Sequence, residues 1–423
     1  MNNLSLSTFG EKFTRMSGIT ELMEDLEKAF AQNSSLRMLG GGNPAHISAA
    51  QDLFHGKIRK ILGNAERFKT VIGTYDGPKG NTEFLSVLAE LLNKEFDWNI
   101  TSKNISLTNG SQHAFFLLFN MFAGKFSNGK TKKILLPLAP EYIGYADVGL
   151  TDDFFVSYKP EIEFIDEHTF KYHVDFKNLS ITEEIGAICV SRPTNPTGNV
   201  LTNRELEELS NLAGENNIPL IIDNAYGTPF PNIIFVDAEP VWNEHSIICM
   251  SLSKLGLPTT RTGIVIADEE IISLISGMNA VLTLAPGGIG AAIAGDLVAS
   301  GEIITMSREI IKPFYLEKNQ KAVALVHKEF EGLDYFIHKP EGALFLWLWF
   351  KDLPITCYEL YERLKKRGVL VVPGNFFFPG MENEKWRHKD ECIRITYSQN
   401  EKTVEEGIKI IAEVAAAACQ QHR

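Results

Sequence analysis

The sequence has 423 residues, more than the roughly 250–300 that one hydrophobic core usually holds, so two domains in one chain are expected. Its composition is 44% hydrophobic, 22% charged and 10% aromatic, which argues against long disorder. The formal charge is −12, from 41 Lys+Arg against 53 Asp+Glu; this disfavours general nucleic-acid binding, which needs clustered cations.

No basic run is longer than Lys365-Lys366-Arg367, which reads as the solvated end of a helix. Met1–Phe13 has no apolar signal core, and the apolar stretch Gly342–Phe350 is far short of the ~20 residues of a membrane span. The five cysteines form no Cys-x-x-Cys pair, and Cys189 and Cys249 lie in apolar runs. Reduced thiols, no metal site and a soluble cytoplasmic protein are expected.

In chain order, residues 1–45 are expected to pack on the smaller domain. Residues 46–305 should form the large domain. Its candidate strands are Ile105–Leu107, Ile134–Leu138, Ala187–Ser191, Leu220–Asp223, Ile247–Ser251 and Ile264–Ala267. Such continuous apolar runs suit strands buried on both faces of a mostly parallel sheet. Between them, Ser111–Phe122 reads as a buried helix. Thr202 and Glu205 spell a capping box ahead of Leu206, Leu209 and Ala213.

After about residue 305 the texture changes. A helical region Ile311–Phe330 precedes a strand Ala343–Phe350, and a helix Tyr358–Arg367 stops at Gly368. Val369–Val372 and Ile393–Tyr397 then read as strands. Residues 306–423 should therefore be a smaller α+β domain, and the whole an α/β protein.

Four segments carry possible chemistry. Lys254 follows Ser251 and Ser253 at a strand end, with Arg261 nearby, where α/β sheets bind ligands. By itself such a lysine also suits a solvated loop. Asp223 ends a buried strand and needs a cationic partner there; a helix or turn cap would also explain it. In Ser191–Gly198, two prolines and a glycine make a rigid turn that presents Asn195. Asn109-Gly110-Ser111-Gln112 opens the apolar helix, and backbone N–H groups at a helix N-terminus favour an anion.

Together, Asn-Pro-x-x-Gly, Asp-x-x-Tyr and Ser-x-Ser-Lys with a following Arg closely resemble the aminotransferases that use pyridoxal 5'-phosphate (PLP) and share the aspartate aminotransferase fold, fold type I. The likeness spans the chain and includes Gly40–Pro44, Tyr75–Pro78, Ala139–Tyr145 and Glu341–Trp349. It implies PLP as cofactor, with Lys254 as the Schiff-base lysine and later the proton-moving base. Asp223 is then the partner of the pyridine nitrogen, and Asn195 and Tyr226 hydrogen-bond the ring hydroxyl. Tyr142 stacks on the ring, though it also suits an ordinary core tyrosine. Gly110, Ser111, Gln112, Ser251, Ser253 and Arg261 hold the phosphate. Tyr75 reaches the phosphate of a neighbouring subunit, which implies a homodimer. Arg394 clamps the substrate α-carboxylate, with Asn195 beside it, and Gly42 and Asn43 belong to the loop closing over it.

One departure bears on the substrate. Aspartate-specific relatives carry a second arginine in the loop that falls here near Leu282–Gly290, and that stretch has no cation. Small neutral amino acids such as alanine and valine, with their 2-oxo acids, are therefore expected as substrates of a ping-pong transamination. A PLP-dependent lyase, or a transaminase of other neutral amino acids, shares the same signature. A ligand-sensing regulator with an aminotransferase-like domain is a remote alternative, disfavoured by the acidic charge and the short N-terminal segment.

Overall fold

The computed structural model describes residues 4–421 apart from 16, 19, 21–23 and 26–35. Its centre is an eight-stranded sheet. The strands run in the order Ile105–Thr108, Gly263–Ile266, Ser246–Ser251, Leu220–Asp223, Ile185–Ser191, Thr131–Leu136 and Gly124–Lys125, with Phe155–Ser157 also paired to Thr131–Leu136. The pairs from Ser246–Ser251 through Thr131–Leu136 to Phe155–Ser157 are parallel, whereas Gly263–Ile266 runs antiparallel to both neighbours. The six strands expected here agree with observed ones to within a few residues, whereas the short strands Gly124–Lys125 and Phe155–Ser157 were not expected. The second strand ends at Leu136 rather than Leu138, because Pro137 has no N–H for the ladder.

The helix Ser111–Phe122 buries Phe115 and Phe119 against this sheet. Each such ring contributes roughly 1.5–3 kcal/mol of apolar burial. The approach is close: a Cβ on Gly186 would lie 1.7 Å from the carbonyl oxygen of Phe122, so Gly186→Ala would force helix and strand apart. The expected capping box is formed, Thr202 accepting from the Glu205 N–H at 3.1 Å and Glu205 accepting from the Thr202 N–H at 2.8 Å. No single described helix is long and apolar enough to cross a membrane.

A second, six-stranded sheet runs Val372–Pro373, Cys392–Thr396, Phe345–Trp349, Phe336–His338, Thr169–His173 and Glu161–Phe164. Its last two strands form a hairpin that lies in sequence between strands of the central sheet. No strand is expected there from the sequence. These strands are short, and Glu161–Phe164 is mostly solvent-facing and half charged. Near the N-terminus, Arg37–Met38 pairs with Val369–Leu370, so the single strand expected at Val369–Val372 is split between two sheets, Val372–Pro373 pairing with Cys392–Thr396; Lys12 bonds Asp152. Most of residues 16–35 lie outside the described residues, so the expected packing of segment 1–45 is visible only in pieces.

Candidate active site

Parallel strands end side by side, and their carboxyl ends open into one cavity of about 810 Å³. Register sets Ser191 opposite Asp223 and Asp223 opposite Cys249, two residues ahead of Ser251. Thus Asp223, Ser251 and Lys254 meet because neighbouring strands end at one level, the crevice where open α/β sheets bind ligands.

Asp223 accepts from the Ala225 N–H at 3.0 Å and from the Tyr145 hydroxyl at 2.8 Å. Burial pushes its pKa up to about 6 against the lowering pull of those bonds and of Lys254. Lys254 donates from Nζ to the Gly42 carbonyl at 2.6 Å and lies 5.4 Å from the Tyr226 ring centroid. Burial, helped by Arg394 and Arg261 and opposed by Asp223, brings its pKa down to about 8. An amine so tuned can give or take a proton near neutral pH.

At one end of the cavity stands an anion cradle. Gly110 caps the helix Ser111–Phe122 at φ +89°, a conformation that favours glycine. Arg261 lies directly over it: a Cβ on Gly110 would sit 2.2 Å from Nη2 of Arg261. Ser111, Gln112, Ser251, Ser253 and Arg261 line this region, while Gly110 stands one layer back. Tyr142 forms another wall, edge-on to Tyr145 with centroids 5.4 Å apart.

Elsewhere in the cavity is Arg394, in the middle of strand Cys392–Thr396 and only 3% exposed. Nη1 donates to Asn195 Oδ1 at 2.7 Å and Nη2 to the Gly40 carbonyl at 2.6 Å. The guanidinium lies 4.1 Å from the Phe345 ring centroid. Its Nε has no partner, and burial lowers its pKa to about 10. A buried cation whose hydrogen-bond partners are neutral is suited to an incoming carboxylate. Asn195 is presented by a turn closed by the Gly198 N–H on the Thr194 carbonyl at 2.8 Å. Gly42 and Asn43 line the cavity, with the Asn43 carbonyl held by Ser398 Oγ at 2.9 Å.

Tyr226 is buried on the wall of the cavity, beside Lys254. Tyr75 is 84% exposed and does not line it. The loop after Leu282 does not line it either; its Gly287 N–H bonds Asn109 Oδ1 at 2.9 Å. Among the described residues, the cations lining the cavity are Lys254, Arg261 and Arg394.

The residue pattern of the family "aminotransferase class I and II" matches residues 53–411. The valine–pyruvate aminotransferase of Escherichia coli K12 is 53% identical over 410 residues, 97% of this chain and 98% of that one. The chain belongs to the class I and II aminotransferases. The crystal structure of valine–pyruvate aminotransferase from Salmonella typhimurium LT2 superposes with a TM-score of 0.88 at 51% identity, over 95% of this chain and 100% of that one. At 20% identity the Thermus thermophilus aspartate aminotransferase shares the fold, with a TM-score of 0.77 over 97% of this chain and 100% of that one.

The cofactor of this class is PLP, and the cavity fits it. The Gly110–Arg261 cradle suits a phosphate and Asp223 suits a protonated ring nitrogen. Gln112 Oε1 and Arg394 Nε are buried polar atoms still lacking a partner. Three residues of the site had been given no role from sequence: Glu141, Tyr145 and Ser191. A glutamate inside the apolar run Leu135–Tyr145 was the available signal for the first.

Proposed function

We propose that this aminotransferase moves the amino group of L-valine to pyruvate, giving 3-methyl-2-oxobutanoate and L-alanine, in two half-reactions on PLP. The observation carrying the substrate class is the cation inventory of the cavity. Lys254 is taken by the cofactor, Arg261 by its phosphate and Arg394 by the α-carboxylate. No cation among the described cavity residues is left for a side-chain carboxylate. The substrate pair itself is the one named by the Escherichia coli relative.

The bound cofactor supplies an electron sink for the pair left when Cα loses its proton. The chain's own residues do the rest. Arg394 and Asn195 hold the α-carboxylate, which fixes Cα relative to Lys254. The Lys254 amine takes the Cα proton at Nζ and returns it to the other side of the transferring nitrogen. With PLP bound, Asp223 would keep the ring nitrogen protonated, Tyr142 would pack on the ring, and Tyr226 with Asn195 would address the ring hydroxyl. Ser111, Gln112, Ser251, Ser253 and Arg261, over Gly110, carry the phosphate.

We further read residues 46–305 and 306–423 as large and small domains, the hairpin Glu161–His173 of the former extending the second sheet, with 1–45 attached to the latter through Arg37–Met38 while Lys12 bonds Asp152 of the former. A cytoplasmic homodimer is proposed, with Tyr75 reaching the partner's phosphate. Ile72, Tyr75, Leu284 and Ile289 are exposed apolar side chains, and Asp76 lies against Gly288, which suits a covered surface. The cysteines among the described residues are free, as a reducing compartment favours.

The test is a panel of amino donors with pyruvate, following alanine. Valine should be among the best donors and aspartate among the poorest. A protein that stays colourless with added PLP would sink the cofactor assignment; ammonia release without an amino acceptor would favour a lyase instead.

A further inference from the structure

Glu141 is a second buried carboxyl at this site, 2% exposed and outside the cavity lining. Its Oε1 accepts from the Ser191 N–H at 2.9 Å, and its Oε2 lies 2.6 Å from Ser191 Oγ and accepts from the Tyr142 N–H at 3.2 Å. Ser191 Oγ is 3.4 Å from the Tyr145 hydroxyl, which bonds Asp223 Oδ2 at 2.8 Å. Two hydroxyls thus bridge two carboxyls. The other titratable groups coupled to this cluster are Tyr142, Cys189, Tyr226, Cys249 and Lys254; of these, Tyr142, Tyr226, Cys249 and Lys254 face Asp223, Cys189 faces both carboxyls, and the one cation, Lys254, acts on Asp223.

Each hydroxyl has one hydrogen to give. With both carboxyls ionised, Ser191 donates to Glu141 and Tyr145 to Asp223, and two like charges share a buried site. With one proton on Glu141 Oε2, every hydrogen can point one way. Glu141 donates to Ser191 Oγ, Ser191 to the Tyr145 oxygen, and Tyr145 to Asp223. We propose that Glu141 is a positioning residue that stays protonated and heads this chain of donors, so that the single negative charge of the pair sits on Asp223, the carboxyl facing the cavity. The proposal rests on the reading that Asp223 meets the pyridine nitrogen. Burial raises both carboxyls in the matching order, Glu141 to about 8 and Asp223 to about 6.

Two measurements test it. In infrared spectra of the cofactor-free protein at neutral pH, the wild type should show a neutral carboxylic-acid C=O band that Glu141→Gln removes. In PLP titrations, Glu141→Gln keeps a neutral donor toward Ser191, losing only the long contact from the Tyr142 N–H, and should bind within about threefold of wild type, whereas Glu141→Ala should bind about tenfold or more weakly. Because Glu141 acts through Tyr145, adding Glu141→Ala to Tyr145→Phe should cost less than about twofold more. A missing acid band, a Gln variant as weak as the Ala variant, or additive losses in the double variant would overturn it. If Glu141→Ala fails to fold, the band and the Gln titration still decide. A wild type that binds no PLP would instead overturn the cofactor reading, while the band reports the Glu141 proton independently of cofactor.

Discussion

Lys171 is buried against a carboxylate and Lys254 lines the cavity near another, and their surroundings differ. Lys171, on strand Thr169–His173, pairs with Glu341 and also donates to Asn199 Oδ1 at 3.1 Å and the Val200 carbonyl at 3.0 Å. Glu341 in turn accepts from the Val200 N–H at 3.1 Å and pairs with Lys339 at 3.0 Å. All three ammonium hydrogens have acceptors, and the cluster ties the hairpin and the second sheet to the turn carrying Asn195. Lys254 has one such bond, to Gly42, and its charged form is disfavoured. Nearby, Arg394 Nε and Gln112 Oε1 are unpartnered. A saturated ion cluster holds a fold together; an unsaturated one leaves capacity for a ligand.

The largest expected effect separates the two lysines. Lys254→Ala should lower transamination by about 10³-fold or more and abolish the visible absorbance of bound PLP, with circular dichroism and melting temperature nearly unchanged. Lys171→Met should do the reverse. Leaving Glu341 partly unpaired inside the protein should cost about 3–5 kcal/mol in denaturant unfolding, with kcat of the folded fraction within a few-fold of wild type. A stability-neutral Lys171→Met would erase the contrast. Arg394→Ala falls between: it should cost about 2–4 kcal/mol in kcat/KM for every amino donor, mainly through KM, with partial recovery in Arg394→Lys.

The smallest effect is in pH dependence. Asp223 is raised from 3.8 to about 6 and Glu141 from 4.5 to about 8, so between those values the native state holds protons that the unfolded chain has lost. Their contribution to stability is therefore full below about pH 4 and declines as pH rises toward 8. Lys254, lowered from 10.5 to about 8, has the opposite slope, gaining stability from pH 8 to 10.5. Thermal unfolding of the cofactor-free protein should show a shallower decline between pH 4.5 and 8 in Glu141→Gln than in wild type. Equal slopes would remove Glu141 from this account.

Much of the central sheet was legible because its strands are continuous apolar runs closed by short polar segments. The strand Leu220–Asp223 was readable to the residue, as was the helix Ser111–Phe122 behind Gly110. The hairpin Glu161–His173 was not, since short, partly charged strands become strands only when another strand pairs with them. Likewise Lys254, Asp223, Asn195 and Arg394 stood out at strand ends, in a rigid turn and within an apolar strand. Glu141 and Tyr145 did not, because their importance lies in what they touch.

By itself, the sequence determined the α/β class, the order of the strand-end motifs and the absence of a cation in the loop near Gly288. The class follows from hydrophobic period and turn chemistry, which act over a few neighbouring residues, while the motifs and the loop take their meaning from the family resemblance. Only the tertiary structure decided that Tyr145 meets Asp223 across 78 positions, Glu141 meets Ser191 across 50, and Arg394 meets Asn195 across 199. Those meetings depend on which strands lie side by side and in what register. The same long-range pairing leaves Lys171 saturated and Lys254 with a single bond.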